Sequence, residues 1–249
     1  MEKQKIGNIY GVDNAKKYYE TYGNEIESTS DLDRFFLSLI PKSLEGKIVL
    51  DLGAGNGRHS EVLHNRGAKQ VIVLDSSESM LREAKKRKDE KKLDRLSLVL
   101  TDIDHVPIGE KKIDYILSRF SVMYTSDLTA LFRKLSDIMT DNAEMLIQAN
   151  FVTINNPDIE QEIKLTPVPL NLKIGENSVA IKNYANTLQD YLSAFQEAGL
   201  SIEEMQQFPA EELSVNEHYS YASAVDFKYI IFKLKKMKLP TIQADEELS

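Results

Sequence analysis

The chain has 249 residues, with 31 Lys and Arg against 39 Asp and Glu, for a formal charge of −8. Hydrophobic residues make up 42% and charged residues 28%, cysteine is absent, and no run of ~18 apolar residues exists. This excludes a transmembrane helix, a disulfide framework and a thiolate metal site, and argues against broad binding to a phosphate backbone. The first residues, MEKQKIGNIYG, lack the apolar stretch of a secretory signal. A cytoplasmic location and a monomer or homodimer are therefore expected.

In chain order, residues 14–22 and 30–40 read as two helices. Leu32, Phe35, Phe36 and Leu39 form the apolar stripe of the second, and Pro41 follows it. Short apolar runs at 47–51 (KIVLD), 70–75 (QVIVLD), 97–101 (SLVLT), 113–117 (IDYIL) and 144–148 (EMLIQ) suit strands buried on both faces of a parallel sheet. Helical patterns lie between them: one from near Gly57, one from Ser76 to about residue 92, and one over 126–139 with Leu128, Leu131, Phe132 and Leu135 on one face. Residues 150–185, with Pro157, Pro167 and Pro169, read as irregular. Thr187 opens a helix that Gly199 stops. Segments 202–208 and 227–234 are the last strand candidates and pair as a hairpin-like edge. The alternation predicts an α/β, Rossmann-like, doubly wound and mostly parallel sheet.

The most informative stretch is VLDLGAGNGRHS, residues 49–60. Its glycines sit where a strand turns into a helix, and Asp75 ends the next strand. Arg58 stands where a dinucleotide fingerprint needs a third glycine, and the lysine–hydroxyl pair of a P-loop is missing. Asp51, two residues before Gly53, would repel a pyrophosphate and favour an ammonium or sulfonium group. Asp75 can accept from a ribose diol, and Asp102 from an adenine amino group. Three acids at successive strand ends suit a cationic adenosine ligand.

DLGAGNGRHS, VIVLDSSESML, LTDIDHVP and IDYILSRFSVMY together resemble the successive motifs of class I S-adenosylmethionine-dependent methyltransferases of the small-molecule type. The resemblance covers residues 46–150 well and the two ends less. It implies a seven-stranded sheet with an antiparallel last strand, beneath an N-terminal helical lid. It also implies one domain over residues 1–239, divided into a lid (1–45), a cofactor-binding core (46–150) and a substrate-side insertion that completes the sheet (151–239), with a tail at 240–249. S-adenosyl-L-methionine would be the cofactor and S-adenosyl-L-homocysteine the product. By position, Asp51, Gly53, Ala54 and Gly55 would surround the methionine moiety, with Ser118 beside it. Asp75 would take the ribose, and Ser76 and Met80 the adenosine side. Thr101, Asp102 and Ile103 would take the adenine. Tyr10 and Tyr18 would close over the cofactor. Phe120, Tyr124, Tyr184 and Tyr219 would meet the substrate, and His218 is the candidate base.

Asp102, Asp104 and His105 read better as a capped loop than as a metal site, and no metal is expected. Arg34, Arg58 and Arg119 are open between a substrate carboxylate and nearby acids. The Asn/Asp-Pro-Pro-Tyr motif of amino-methyltransferases is replaced by Ser118-Arg119-Phe120-Ser121. The expected partner is thus a small-molecule methyl acceptor, neither membrane nor nucleic acid. A macromolecular acceptor and a non-catalytic cofactor-binding protein are the alternatives.

Overall fold

The computed structural model describes residues 31–110, 112–165, 167–174, 177–210, 213–215 and 224–237. Helix α1 (Asp31–Leu39) precedes β1 (Ile48–Leu52), α2 (Arg58–Asn65), β2 (Gln70–Asp75), α3 (Glu78–Glu90) and β3 (Leu96–Leu100). Strand β4 (Ile113–Arg119), α4 (Leu128–Ile138) and β5 (Met139–Ile154) follow. These lead to α5 (Glu160–Leu165), β6 (Val168–Ile174), β7 (Asn177–Asn183), α6 (Leu188–Glu197), β8 (Leu200–Pro209), β9 (Leu213–Val215) and β10 (Val225–Lys236).

The main sheet has seven strands in the order β3-β2-β1-β4-β5-β10-β8. Strands β1 to β5 are parallel, and β10 runs antiparallel to both neighbours. This is the expected seven-stranded architecture with an antiparallel last strand. The order reverses between β1 and β4, so a crevice opens at the carboxyl ends of those strands.

Alternation along each strand divides the core. Leu50 and Leu52 join Ile116, Ile147 and Phe232 under α4 and α6, whereas Val49, Val73, Leu117 and Ile231 face the layer that contains Phe36, Leu63 and Ala84. Local chemistry fixes the helix starts. Asp127 accepts from the Ala130 amide at 2.8 Å, and Thr187 and Asp190 form a capping box. The predicted stripe of α4 is buried as read, including Leu131, Phe132 and Leu135.

Residues 150–185 depart from the irregular reading. Strand β5 runs on to Ile154, and β6 and β7 join β9 in a second, three-stranded sheet ordered β7-β6-β9. Pro169 does not prevent this. Pro169 sits near the start of β6, in register with Lys182 of β7 alone, because β9 pairs only with Leu170, Asn171 and Leu172.

Beneath the glycine loop lies a buried ion pair. Arg87 of α3 donates to Glu61 of α2 at 2.7 Å and to the Asn56 carbonyl at 3.2 Å, and Lys91 meets Glu61 at 3.0 Å. Arg87→Met keeps the stem and removes the charge. It is expected to lower stability by about 3 kcal/mol, the lower end for breaking a buried pair, because Lys91 stays with Glu61. Urea melts check this, and an unshifted midpoint would mean the pair contributes nothing net.

Candidate active site

A cleft of about 950 Å³, its mouth included, lies over the carboxyl ends of β1 to β4. Its floor is the turn after β1. Gly53 has φ 69°, and a Cβ there would stand 2.2 Å from the Ser121 Cβ. Only glycine lets the chain pass so close to the segment after β4. Gly57, at φ 74°, caps α2, and a Cβ there would stand 3.1 Å from the Ala84 Cβ. The Gly53 and Ala54 amides donate to the Leu74 carbonyl at 2.8 and 2.9 Å, which ties the turn to β2.

Asp75 is part of that turn. Its Oδ2 accepts from the Gly55 amide and its Oδ1 from the Ser77 amide, each at 2.8 Å. Burial pushes its carboxyl up from the ordinary range, and the backbone donors pull it back. Asp102 caps the short turn after β3 by accepting from the Asp104 amide at 3.0 Å, the capped loop expected from the sequence.

The cleft brings together Gly53, Ala54, Gly55, Asp75, Ser76, Met80, Asp102, Ile103, Phe120 and Tyr124. Four other sequence candidates do not line it. Asp51 is buried beneath the turn, where its Oδ2 accepts from the Ser60 hydroxyl at 2.5 Å. Ser118 is buried and shares a 2.6 Å hydrogen bond with Ser121, which takes its place at the wall. Thr101 turns its hydroxyl to the His105 carbonyl. Tyr184 is held by its backbone to Met123. Tyr10, Tyr18, His218 and Tyr219 lie outside the described residues.

The sequence reading placed the loop from Gly53 to Gly57, and so Asn56, at the cleft, but missed His59 and Ser77. Adjacency to the glycines was the available signal for Asn56. Its Oδ1 accepts from the Arg58 amide at 3.2 Å, and its buried Nδ2 has no partner. Asp33 of α1 was missed as well. It accepts from Arg58 at 2.8 Å and also from Arg119, so both arginines meet a nearby acid. His59 stands 3.3 Å from Arg119 and edge-on to Phe36. Burial, with Arg58 and Arg87 nearby, lowers its pKa to about 3, so it is neutral and a poor proton acceptor.

A glycine turn after the first strand, with acids at the ends of the next two, on a sheet of this order is the Rossmann-like methyltransferase fold that the sequence motifs imply. Residues 49–142 match the family described as a methyltransferase domain. The chain is 32% identical over 143 residues to an uncharacterized protein of Haemophilus influenzae, covering 55% of this chain and 56% of that one. It is 36% identical over 87 residues to the malonyl-[acyl-carrier protein] O-methyltransferase of Xylella fastidiosa, covering 34% and 29%. The chain thus spans well under two thirds of the length of these relatives. In fold it is similar to a phosphoethanolamine N-methyltransferase of Haemonchus contortus solved with S-adenosylhomocysteine. There the TM-score is 0.67 at 16% identity, covering 93% of this chain and 58% of that one.

The residues fit the cofactor of the class. The unpaired Asn56 donor suits a carboxylate, and the acceptor oxygens of Asp75 and Asp102 suit ribose and adenine donors. Asp51 adds a pH signature. Burial, with Asp75 near, raises its pKa from 3.8 to about 7 against the hydrogen bond from Ser60. The unfolded chain therefore loses this proton first, and stability falls as pH rises from about 4 to 7, then levels. Asp75 acts in the same direction. Asp51→Asn keeps an oxygen for Ser60 and removes the ionisation. Across melts from low to neutral pH it is expected to lose less stability than the parent, by on the order of 3 kcal/mol. Parallel curves would show that Asp51 ionises normally.

Proposed function

We propose that the chain transfers a methyl group from S-adenosyl-L-methionine to an oxygen, nitrogen or carbon atom of a small molecule. One observation carries this reading. The row of acceptor groups at the ends of β2 and β3 continues, within one cleft, into the aromatic side chains of Phe120 and Tyr124.

The bound cofactor would supply a methyl group already activated by its sulfonium. What remains for the protein is alignment and exclusion of water. Gly53, Ala54 and Gly55 hold the backbone against the methionine moiety, and Asn56 donates to its carboxylate. Asp51 braces the turn from beneath through Ser60, and Ser118 supports the wall through Ser121. Asp75 takes the ribose while it keeps its two backbone donors, since each carboxylate oxygen has a second lone pair. Ser76 and Met80 flank the adenosine, with Asp102 and Ile103 at the adenine edge and face. Phe120 and Tyr124 wall the acceptor. Tyr10 and Tyr18 as lid residues, Tyr184 and Tyr219 as rim residues, and His218 as a base belong to the same proposal. His59 does not serve as the base, because its low pKa leaves little basicity and Arg119 occupies its Nε2.

The two named relatives are called after an O- and an N-methyltransferase, so neither name fixes the atom methylated here. No helix among the described residues is long and apolar enough to cross a membrane.

Calorimetric titration with S-adenosylhomocysteine, beside NADH as control, tests the cofactor. The first is expected to bind and the second not. Asp75→Ala is expected to weaken binding roughly tenfold or more, the worth of a charge-assisted hydrogen bond. A folded variant that binds normally would place the ribose elsewhere.

A further inference from the structure

Next to the cleft, the sheet face that looks toward α1 carries polar side chains where its neighbours carry core. Gln148 and Asn150 of β5 are 0% and 2% exposed. Two residues apart on one strand, they share a face. Leu146, one step before them, packs with Phe36 and Ile231. Two steps further, the apolar layer has given way to amides.

Both amides are donors with nothing to donate to. Gln148 Nε2 and Asn150 Nδ2 are buried and have no hydrogen-bond partner. The orientation of Gln148 is not ambiguous. Its Oε1 accepts from Arg119 Nε at 2.7 Å, and a guanidinium can only donate, so the amino end is the free one. Burying one such donor unpaired is costly, and burying two on one face calls for a ligand more than for packing.

An aromatic wall stands beside these donors. Tyr229 of β10 is the cross-strand partner of Asn150, and its ring lies 5.0 Å from that of Phe120. Phe120 holds a left-handed backbone, φ 52°, a conformation rare outside glycine. Its amide donates to the Gln148 carbonyl at 2.7 Å, and the Arg119 guanidinium lies 5.5 Å over its ring. Arg119 and Phe120, which contact Gln148 from the cleft side, themselves line the cleft, so the amide-bearing face borders it.

We propose that this face is the acceptor subsite and that it takes a carboxylate. The free N–H groups of Gln148 and Asn150 donate to the carboxylate oxygens, and the Phe120–Tyr229 pair packs the apolar body of the same molecule. An ammonium, which can only donate, finds no acceptor in these free N–H groups, and a hydroxyl brings no charge to strengthen the bonds it accepts. A phosphate dianion is disfavoured because Arg119 is already shared with Asp33, which leaves neutral amides to offset the second charge. The subsite deepens the methyltransferase reading and rests on it.

Benzoate and benzamide are suitable probes, flat molecules that differ in the group presented. They are titrated by calorimetry into the full chain saturated with S-adenosylhomocysteine. Benzoate is expected to bind about tenfold more tightly than benzamide, and Gln148→Leu to lose about tenfold for benzoate. Gln148→Glu keeps an oxygen for Arg119 and replaces the free donor with an anion, so it is expected to abolish benzoate binding. Circular dichroism and S-adenosylhomocysteine titration of each variant report whether fold and cleft are intact. Equal binding of the two probes, no binding of benzoate, or an unchanged benzoate affinity in both intact variants overturns the subsite. Failure of the parent to bind S-adenosylhomocysteine overturns the methyltransferase reading instead.

Discussion

The close passage at Gly53 is the constraint on which the site depends. The chain leaves β1, turns against Ser121 with no room for a Cβ, and donates two amides to the end of β2. That contact sets the start of α2 through Gly57, the position of Asp75 through the Gly55 amide, and the near wall of the cleft through Ser121. A side chain at residue 53 would force the turn and the β4 segment apart, and the wall between cofactor and acceptor regions would open. Ser121 is fixed from its own side as well, by hydrogen bonds to Ser118 and to the Leu52 carbonyl.

Around this turn the protein buries several charged side chains. Asp33 is held by Arg58 and Arg119, and Arg87 by Glu61. Such pairs repay their desolvation poorly, so stability is a weak reason for them. Position is a better one. Arg87 holds the Asn56 carbonyl of the turn, and Asp33 joins α1 to residues next to the turn and at the end of β4. The helix leading to the N-terminal segment is thereby registered against both halves of the cleft.

The parallel strands and the cleft floor were legible because their signals are local. A buried parallel strand is a short apolar run, and Gly53, Gly55 and Asp75 sit at fixed offsets from two such runs. The alternation of β5 was harder to read, because its polar residues 148 and 150 lie on a buried face. The sheet β7-β6-β9 was hidden by Pro167 and Pro169, which punctuate a strand that β9 pairs only beyond them. Asp33 was invisible as a site residue because its partners are 25 and 86 positions away. No window of sequence connects them. Asp51 was legible as important and misplaced as a cleft residue, since strand parity points it with Val49 into the layer under α2, where Ser60 meets it.

The polar groups are sorted along the sheet. At the ends of β2 and β3 they are carboxylates, Asp75 and Asp102. Across Ser121, at the ends of β4 and β5, they are donors: Arg119, Gln148 and Asn150. Ionised carboxylates accept only, and guanidinium and amide N–H groups donate, so the two halves select ligands of opposite character. On the proposed reading, a cationic ligand rich in hydroxyl and amino donors lies on one side and a carboxylate on the other. Exchange of the two across the cleft would set acids against a carboxylate and donors against donors. In a displacement reaction the orientation of the two reactants is most of what the protein contributes. On the proposed reading this sorting supplies much of that orientation before either reactant arrives.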